Sequence, residues 1–209
     1  MLGSREIDPL APTTLTLAYV RAYGLRGAGA MLSLAATVSE TDPDVLAVCE
    51  IDAGDAFALA TRFAREWAYR GGQALFWTRA FAAATVHDLY LPFAIQRPFD
   101  RRGLLRVDGA IGGVQAAVFA TQLGAARAFA VPEMRYARTQ LHACAGRAIA
   151  FAQMEMATPG LGGRGVELLA QDEEAGIYAY ARGFGATAVE RRPYSLIVAA
   201  ASHGVPPPQ

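Results

Sequence analysis

The chain has 209 residues, of which 53% are hydrophobic and 18% are charged, a composition typical of a globular protein with a sizeable core. Its 19 basic residues balance 19 acidic ones, so it lacks the positive charge with which nucleic-acid binders displace counterions from phosphates. No apolar run is long enough to span a bilayer, and residues 1–12 show no secretory signal pattern. These features argue against nucleic-acid and membrane partners and predict a cytoplasmic protein.

All 19 basic residues are arginine, and the chain contains no lysine. It therefore has no side-chain amine for a Schiff base and no phosphate-binding lysine of the P-loop type. The two cysteines, Cys49 and Cys144, fit buried free thiols better than a disulfide framework. Because cysteine pairs are absent and the three histidines are scattered, no zinc site is expected.

Apolar patterns in the first part of the chain predict three strands and two helices. The strands are expected over residues 15–20, 45–51 and 74–77. A first helix is expected over residues 30–38. A second helix is expected to begin with Asp55 as its N-cap and to extend to about Trp67.

The remainder of the chain predicts seven more strands and one helix. The strands are expected over residues 86–91, 104–108, 114–121, 148–154, 177–181, 186–190 and 195–201. The helix is expected to have Pro132 in its first turn and to reach Ala145. Hairpins exclude a simple βαβ alternation, so two packed sheets with outer helices are expected, in a single domain over residues 1–202 with a proline-rich tail over residues 203–209.

Glu50 is the first candidate for a functional residue. It ends a continuous apolar run that begins after the turn Asp42-Pro43-Asp44 and is typical of a buried strand. A carboxylate at the end of a buried strand is costly unless it binds a metal or pairs with a donor. Arg21 and Arg79 are the candidate donors if no metal binds.

The segment from Asp42 to Asp52 resembles the second strand of the endonuclease/exonuclease/phosphatase superfamily, whose pattern runs Pro-Asp-hydrophobic-Leu-x-Glu. Segments 72–79, 103–123, 149–155 and 193–198 match that family's later strands in order. The resemblance implies an α/β (α+β) four-layer sandwich, in which two packed mixed β-sheets are flanked by helices, as in the DNase I-like fold. In that family the glutamate matching Glu50 holds a divalent metal.

The family's other polar positions are replaced in this sequence. Tyr19 stands where the family has the asparagine of its first strand, or else that asparagine is deleted here. Gln73 stands where the family has asparagine, and Gln122 stands where it has histidine. Gln153 stands for the aspartate that orients the attacking water. The remaining candidates are Glu155 in place of an asparagine, Tyr178 in a loose match to an aspartate, and Tyr194-Ser195 in place of an Asp-His pair.

Amides and a serine hydroxyl cannot take up a proton near neutral pH. These replacements in a chain that resembles the family therefore imply a repurposed cleft without metal-dependent hydrolysis and without a cofactor. The cleft would bind an uncharged or weakly polar small organic molecule, or act on it non-hydrolytically with Glu50 or Glu155 as acid or base. One alternative is a divergent Mg²⁺- or Mn²⁺-dependent phosphoesterase or endonuclease that uses Glu50. The other is a non-catalytic interaction module that dimerises through an apolar face, so whether the chain is an enzyme stays open.

Overall fold

A computed structural model describes residues 14–22, 28–91, 103–111, 113–123, 127–144, 146–154, 162–163 and 165–202. Within these residues the chain forms two six-stranded sheets and three helices. The helices are α1 (Ala28–Thr41), α2 (Ala53–Phe63) and α3 (Arg127–Ala143). Among the described residues, no helix has the length and hydrophobicity that a membrane-spanning segment requires.

The first sheet combines strands from both ends of the chain. Its members are β1 (Thr14–Arg21), β2 (Val45–Cys49), β3 (Glu66–Arg70), β4 (Gln73–Trp77), β11 (Phe184–Arg192) and β12 (Ser195–Ser202). They are arranged in the order β11-β12-β1-β2-β4-β3. β1 and β2 are parallel, and the other neighbours are antiparallel.

The second sheet repeats this plan with the middle of the chain. Its members are β5 (Phe81–Tyr90), β6 (Gly103–Ile111), β7 (Val114–Gln122), β8 (Arg147–Gln153), β9 (Glu167–Asp172) and β10 (Ile177–Arg182). They are arranged in the order β5-β6-β7-β8-β10-β9. Here β7 and β8 form the parallel pair, and the other neighbours are antiparallel.

Three apolar clusters give the molecule its four layers. One cluster lies between the sheets and takes alternate residues of their strands, because successive side chains of a strand point to opposite faces. A second cluster joins the outer face of the first sheet to α1 and α2. A third joins the outer face of the second sheet to α3. The expected sandwich of two mixed sheets between helices is therefore confirmed.

The boundaries of α2 differ from the sequence prediction. Asp52, and not Asp55, is the N-cap, and its Oδ1 accepts a hydrogen bond from the backbone N–H of Asp55 at 2.8 Å. Ala64 then adopts a left-handed conformation with φ 50° and ends the helix. Trp67 consequently lies in β3, a strand that the apolar pattern merges with the helix.

Two further elements depart from the prediction. α3 begins at Arg127, so Pro132 lies inside the helix and not in its first turn. The sequence pattern also misses β9, because its residues Glu-Leu-Leu-Ala-Gln-Asp show no clear alternation of apolar and polar side chains. The predicted tail over residues 203–209 lies outside the described residues.

Gly176 closes the turn between β9 and β10 against the end of β8. Its φ is 68°, and a Cβ at this position would lie 2.5 Å from the carbonyl oxygen of Met154. The backbone N–H of Met154 donates to the carbonyl of Gly176 at 2.9 Å. Glycine is therefore required here for both its φ and its size, and this contact fixes the position of the neighbouring residue Ala175.

Candidate functional site

Four polar side chains meet where the two parallel strand pairs end. Arg21 is the last residue of β1, and Glu50 comes directly after the last residue of β2. Gln122 and Gln153 are the last residues of β7 and β8 and are direct neighbours in register. Because the carboxyl ends of parallel strands lie at one edge of a sheet, each sheet contributes two of these residues to the same end of the sandwich. We call Arg21, Glu50, Gln122 and Gln153 the polar clasp.

The Glu50 carboxylate is the acceptor at the centre of the polar clasp. Arg21 Nε donates to Glu50 Oε2 at 3.0 Å, and Arg21 Nη2 donates to Oε1 at 3.4 Å. The Nε2 atoms of Gln122 and Gln153 donate to Oε1 at 3.3 and 3.2 Å. Each carboxylate oxygen offers about two lone-pair positions, so the three contacts to Oε1 occupy that oxygen fully, whereas Oε2 receives only the contact from Arg21 Nε. Of the two arginines that the sequence offers, Arg21 is the one that pairs with Glu50.

The backbone holds this arrangement in place. Arg21 Nη1 also donates to the carbonyl of Ala175 at 3.3 Å, beside Gly176. Glu50 has a φ of 60°, in the left-handed region that costs a residue with a side chain roughly 1–2 kcal/mol. The ends of β1 and β2 are joined by the backbone hydrogen bond from Ala22 to the carbonyl of Cys49 at 2.9 Å.

The polar clasp lies at the surface on one side and is buried on the other. The side chains of Glu50 and Arg21 are 13% and 20% exposed, whereas Gln153 is only 1% exposed. While Gln153 Nε2 bonds Glu50, its Oε1 is buried and has no hydrogen-bond partner among the described residues. The clasp therefore contains one acceptor that the described protein leaves unused.

Tyr19 lies beneath the polar clasp, in the core between the sheets. It is fully buried, stacks on Phe151 with ring centroids 5.3 Å apart, and its hydroxyl donates to the carbonyl of Thr121 at 3.5 Å. Burial raises the pKa of Tyr19 well above its ordinary value. Burial also raises the pKa of the neighbouring Cys49 thiol to about 12. Both groups therefore stay protonated near neutral pH, and neither can serve as a base or a nucleophile beneath the polar clasp.

Gln73 also spans the two sheets. It is fully buried, and its Nε2 donates to the carbonyl of Gly103 at 3.1 Å. Thr121 Oγ1 donates to the same carbonyl at 3.3 Å. Like Gln153, Gln73 keeps a buried Oε1 without a partner in the described part of the chain. Its amide group therefore supports the sandwich and does not belong to the polar clasp.

Tyr194 lies at the rim of the site in the two-residue turn between β11 and β12. Its carbonyl accepts a hydrogen bond from the backbone N–H of Arg21 at 2.8 Å. Its side chain is 51% exposed. Its φ is 61°, a value for which such a turn usually has glycine or asparagine.

Two sequence candidates do not join the polar clasp. Ser195 pairs in register with Val20, which packs on the helix side of the first sheet, so Ser195 lies on that face as well. Tyr178 packs against the cluster under α3, on the outer face of the second sheet. Burial, and then the nearby Glu173, raises the pKa of Tyr178. Glu155, the remaining candidate, lies outside the described residues.

The polar clasp does not fit a divalent cation. Mg²⁺ and Mn²⁺ require several oxygen ligands, but Glu50 is surrounded by N–H donors. Turning both glutamine amides would offer oxygens, yet the guanidinium of Arg21 would still lie 3.0 Å from the carboxylate and repel the cation. Within the described ranges, no group of three or more His, Cys, Asp or Glu side chains could hold a metal ion.

Sequence reasoning identifies Glu50 from the buried apolar run that it ends, and it identifies Gln122 and Gln153 from the family resemblance, which has histidine and aspartate at these positions. It names Arg21 only as one of two candidate partners for Glu50. It misses the carbonyl of Ala175 as a contact of Arg21, because every residue has a backbone carbonyl and the residue type does not show which one accepts a hydrogen bond. The left-handed conformation at Glu50 also has no sequence signal, since glycine and asparagine are the residues that usually mark it.

Comparison with solved structures finds the same architecture in several proteins. D. rerio TDP2 complexed with a single strand DNA product has a TM-score of 0.71 and 12% identity, covering 90% of this chain and 98% of that chain. The human Nocturnin catalytic domain with bound sulfate gives 0.68 and 11%, covering 91% and 94%. An endonuclease/exonuclease/phosphatase family protein from Bacteroides thetaiotaomicron gives 0.69 and 11%, covering 92% and 99%.

No protein-family model and no curated protein sequence matches the chain. The structural likeness extends over nine tenths of its length, although the identities are only 11–12%. Likeness at such identity is carried by the order and packing of the strands, which are the features described above. The chain therefore shares the fold of these proteins, the DNase I-like sandwich that its sequence resemblance predicted.

Proposed function

We propose that this chain uses the endonuclease/exonuclease/phosphatase sandwich as a binding scaffold that has lost metal-dependent phosphodiester hydrolysis. Its ligand is an uncharged small organic molecule held at the polar clasp. The observation that carries this proposal is the state of Glu50, whose carboxylate is paired with Arg21 and also accepts hydrogen bonds from two glutamine amides.

The chemistry of the polar clasp supports the loss of hydrolysis. Metal-assisted cleavage of a phosphodiester needs a hard cation and a group that moves a proton. Gln122 and Gln153 neither accept nor release protons near neutral pH, and the guanidinium of Arg21 remains charged. These residues can orient a bound molecule by hydrogen bonds but cannot act as its general base.

The charge of the polar clasp supports an uncharged ligand. Glu50 and Arg21 compensate each other at 3.0 Å. An anionic or cationic ligand would leave one charge without a counter-charge in a partly buried site, which is energetically costly. A neutral molecule avoids this cost and gains from hydrogen bonds.

Metal titration combined with a hydrolysis assay tests the proposal. We expect calorimetry with millimolar MgCl₂ or MnCl₂ to show no saturable heat, and bis(4-nitrophenyl) phosphate to be hydrolysed no faster than in buffer. The double variant Arg21→Gln/Gln153→Asp serves as the control, because it removes the cation and adds a carboxylate beside Glu50. We expect this variant to gain Mg²⁺ binding. Metal-dependent turnover by the unmodified protein that disappears in Glu50→Ala would overturn the proposal.

A further inference from the structure

The strand β3 forms one edge of the first sheet. It pairs with β4 on one side, and no strand of the described residues pairs with its other side. The two-glycine turn that joins β3 to β4 has φ values of 50° and 82°, as in a type I′ hairpin, and it closes on the hydrogen-bonded pair Arg70 and Gln73. Because hydrogen-bonded residues alternate along an antiparallel strand, the backbone N–H and C=O groups of Trp67 and Tyr69 point away from β4. Such an edge is a template for a further strand.

The residues of β3 are arranged symmetrically in charge and in aromatic character about Ala68. The strand reads Glu66-Trp67-Ala68-Tyr69-Arg70. When two copies pair antiparallel with Ala68 opposite Ala68, Glu66 of each copy lies opposite Arg70 of the other, and Trp67 lies opposite Tyr69. Opposite charges and aromatic rings are both stabilising when they lie directly across a strand pair. This register also places the open backbone groups of Trp67 opposite those of Tyr69, so each of these pairs can exchange two hydrogen bonds.

We propose that two copies of this chain associate through β3 in this register, which joins their first sheets into one continuous sheet. The interface is isologous, because each residue meets a residue that it also faces in the reverse direction, as a two-fold dimer requires. The inference concerns a surface separate from the polar clasp and goes beyond the proposed function.

An exposed aromatic surface continues the edge on the outer face of the sheet. Trp67 and Tyr69 pack on the helix side of the first sheet, and Phe57 of α2 is 61% exposed with its ring centroid 6.2 Å from that of Trp67. A two-fold axis perpendicular to the sheet keeps the outer faces of both copies on one side. The aromatic side chains of the two copies therefore meet on the same face, where burial of apolar surface favours association.

The charged residues lie on the other face of β3 and already have contacts within one copy. Glu66 Oε2 accepts a hydrogen bond from Trp77 Nε1 at 2.8 Å, and Arg70 Nη1 lies 2.7 Å from Asp88 Oδ2. A carboxylate offers about four lone-pair positions and a guanidinium has five N–H donors, so these contacts do not exhaust either group. Charges on an edge strand normally oppose pairing. Here their opposite signs select the Ala68-centred antiparallel register, in which each charge faces its opposite.

Sedimentation velocity of the unmodified protein tests the association. A strand of five residues gives a small interface, so we expect a dissociation constant on the order of 10–100 μM. The protein should sediment as a monomer near about 1 μM and mainly as a dimer near about 500 μM. A monomer at every concentration would overturn the proposal.

Charge reversal tests the register. Glu66→Arg places two arginines opposite each other in the paired strands, and Arg70→Glu places two glutamates opposite each other, so we expect each variant alone to associate at least about tenfold more weakly. An equal mixture of the two variants restores opposite charges at every paired position and should form heterodimers. Glu167→Arg, the same change at an exposed position of the edge strand β9, is the matched control and should dimerise as the unmodified protein does. Charge variants that associate as strongly as this control would contradict the register.

Hydrogen exchange locates the interface in the unmodified protein. The amides of Trp67 and Tyr69 should exchange several-fold more slowly at about 500 μM than at about 10 μM. The amides of Ala68 and Arg70 should not change, because they bond β4 within one copy. A dimer in which exchange at Trp67 and Tyr69 is independent of concentration would use another surface, and the proposal would be wrong. If the charge variants fail to fold, this measurement still decides the question.

Discussion

The Glu50 carboxylate receives hydrogen bonds from residues of both sheets. Arg21 donates from its own sheet, and the amides of Gln122 and Gln153 donate from the facing sheet. Hydrogen bonds to a charged acceptor contribute more than bonds between neutral groups. The side chain therefore helps to hold together two sheets whose shared core is mainly apolar.

Replacing Glu50 by glutamine tests this contribution. The variant keeps the size of the side chain but leaves Arg21 without its counter-charge and turns an amide toward Gln122 and Gln153. We expect the free energy of unfolding in urea to fall by roughly 1–3 kcal/mol. Glu40→Gln is the matched control, because Glu40 is an exposed partner of Arg192 and solvent-exposed ion pairs contribute little to stability. Equal effects of the two variants would contradict the assigned role.

Tyr194 provides a second test at the level of one residue. Its left-handed backbone is strained for tyrosine, whereas asparagine tolerates it. We expect Tyr194→Asn to raise the free energy of unfolding by about 0.5–1 kcal/mol, which is about half of the penalty for a left-handed residue other than glycine. Tyr136→Asn removes a ring that packs against the apolar cluster under α3, so it should lower the free energy of unfolding. A loss of stability in Tyr194→Asn would show that the ring contributes more to the fold than its strain costs.

At the scale of secondary structure, the end of α2 contains residues that are unfavourable for the conformation or the burial that the fold gives them. α2 ends at Ala64 in a left-handed conformation, and the backbone N–H of Ala64 bonds back to Ala60 and Thr61. Arg65 then turns inward, where its guanidinium donates to the carbonyl of Pro43 and to Asp42. Burial lowers the pKa of Arg65, and these two acceptors compensate part of that cost.

Ala64→Gly tests the helix end directly. Glycine adopts the left-handed conformation without steric cost, so we expect the free energy of unfolding to rise by about 0.5–1 kcal/mol. Ala58→Gly places the same substitution at an exposed position inside α2. There it should lower stability by about 1 kcal/mol. Urea unfolding of both variants should therefore give opposite signs, and equal signs would contradict the structure.

Asp44, just before β2, gives the fold a pH dependence. Its Oδ2 accepts a hydrogen bond from the backbone N–H of Thr16 at 2.7 Å, and burial raises its pKa. A carboxyl whose pKa is higher in the folded than in the unfolded protein favours folding while protonated, and this contribution is lost as pH rises through the folded pKa. We expect Asp44→Asn to raise the free energy of unfolding at pH 7 by up to about 1 kcal/mol. The gain should fade as the pH falls toward about 4, and a gain that grows on acidification would contradict this sign.

At the scale of the whole molecule, the polar clasp couples the ends of the two sheets. The backbone N–H of Ala22 bonds Cys49 in the first sheet, and that of Leu123 bonds Gln153 in the second. Both amides lie one residue beyond a strand that contributes to the clasp. Opening of the clasp should therefore weaken backbone hydrogen bonds at the ends of strands in both sheets.

Hydrogen exchange measures this coupling. We expect Glu50→Gln to accelerate exchange at Ala22 and at Leu123 by similar factors, because one carboxylate holds both strand ends. Asp108→Asn is the control, since Asp108 bonds Arg106 and His87 within the second sheet. It should leave exchange at Ala22 unchanged. Faster exchange at only one of the two amides in Glu50→Gln would show that the sheets open independently.

The sequence is sufficient to predict the architecture and the central carboxylate, because both depend on continuous apolar runs and on the residues that end them. It is not sufficient to predict on which face of their sheets the side chains of Ser195 and Tyr178 lie. A change of one residue in register moves a strand side chain to the other face, and no composition signal fixes that register. The early end of α2 is also missed, because Ala64 is a residue type that normally continues a helix.

Gly176 has a consequence that reaches beyond its own turn. Any larger residue there would collide with the backbone of Met154, and the chain would have to move the adjoining peptide that carries the oxygen of Ala175. That oxygen accepts a hydrogen bond from Arg21 Nη1, so a methyl group added to this turn would remove one of the contacts that position the guanidinium against Glu50. Gly176→Ala should thus imitate, without altering any charged residue, the loosening caused by neutralising Glu50.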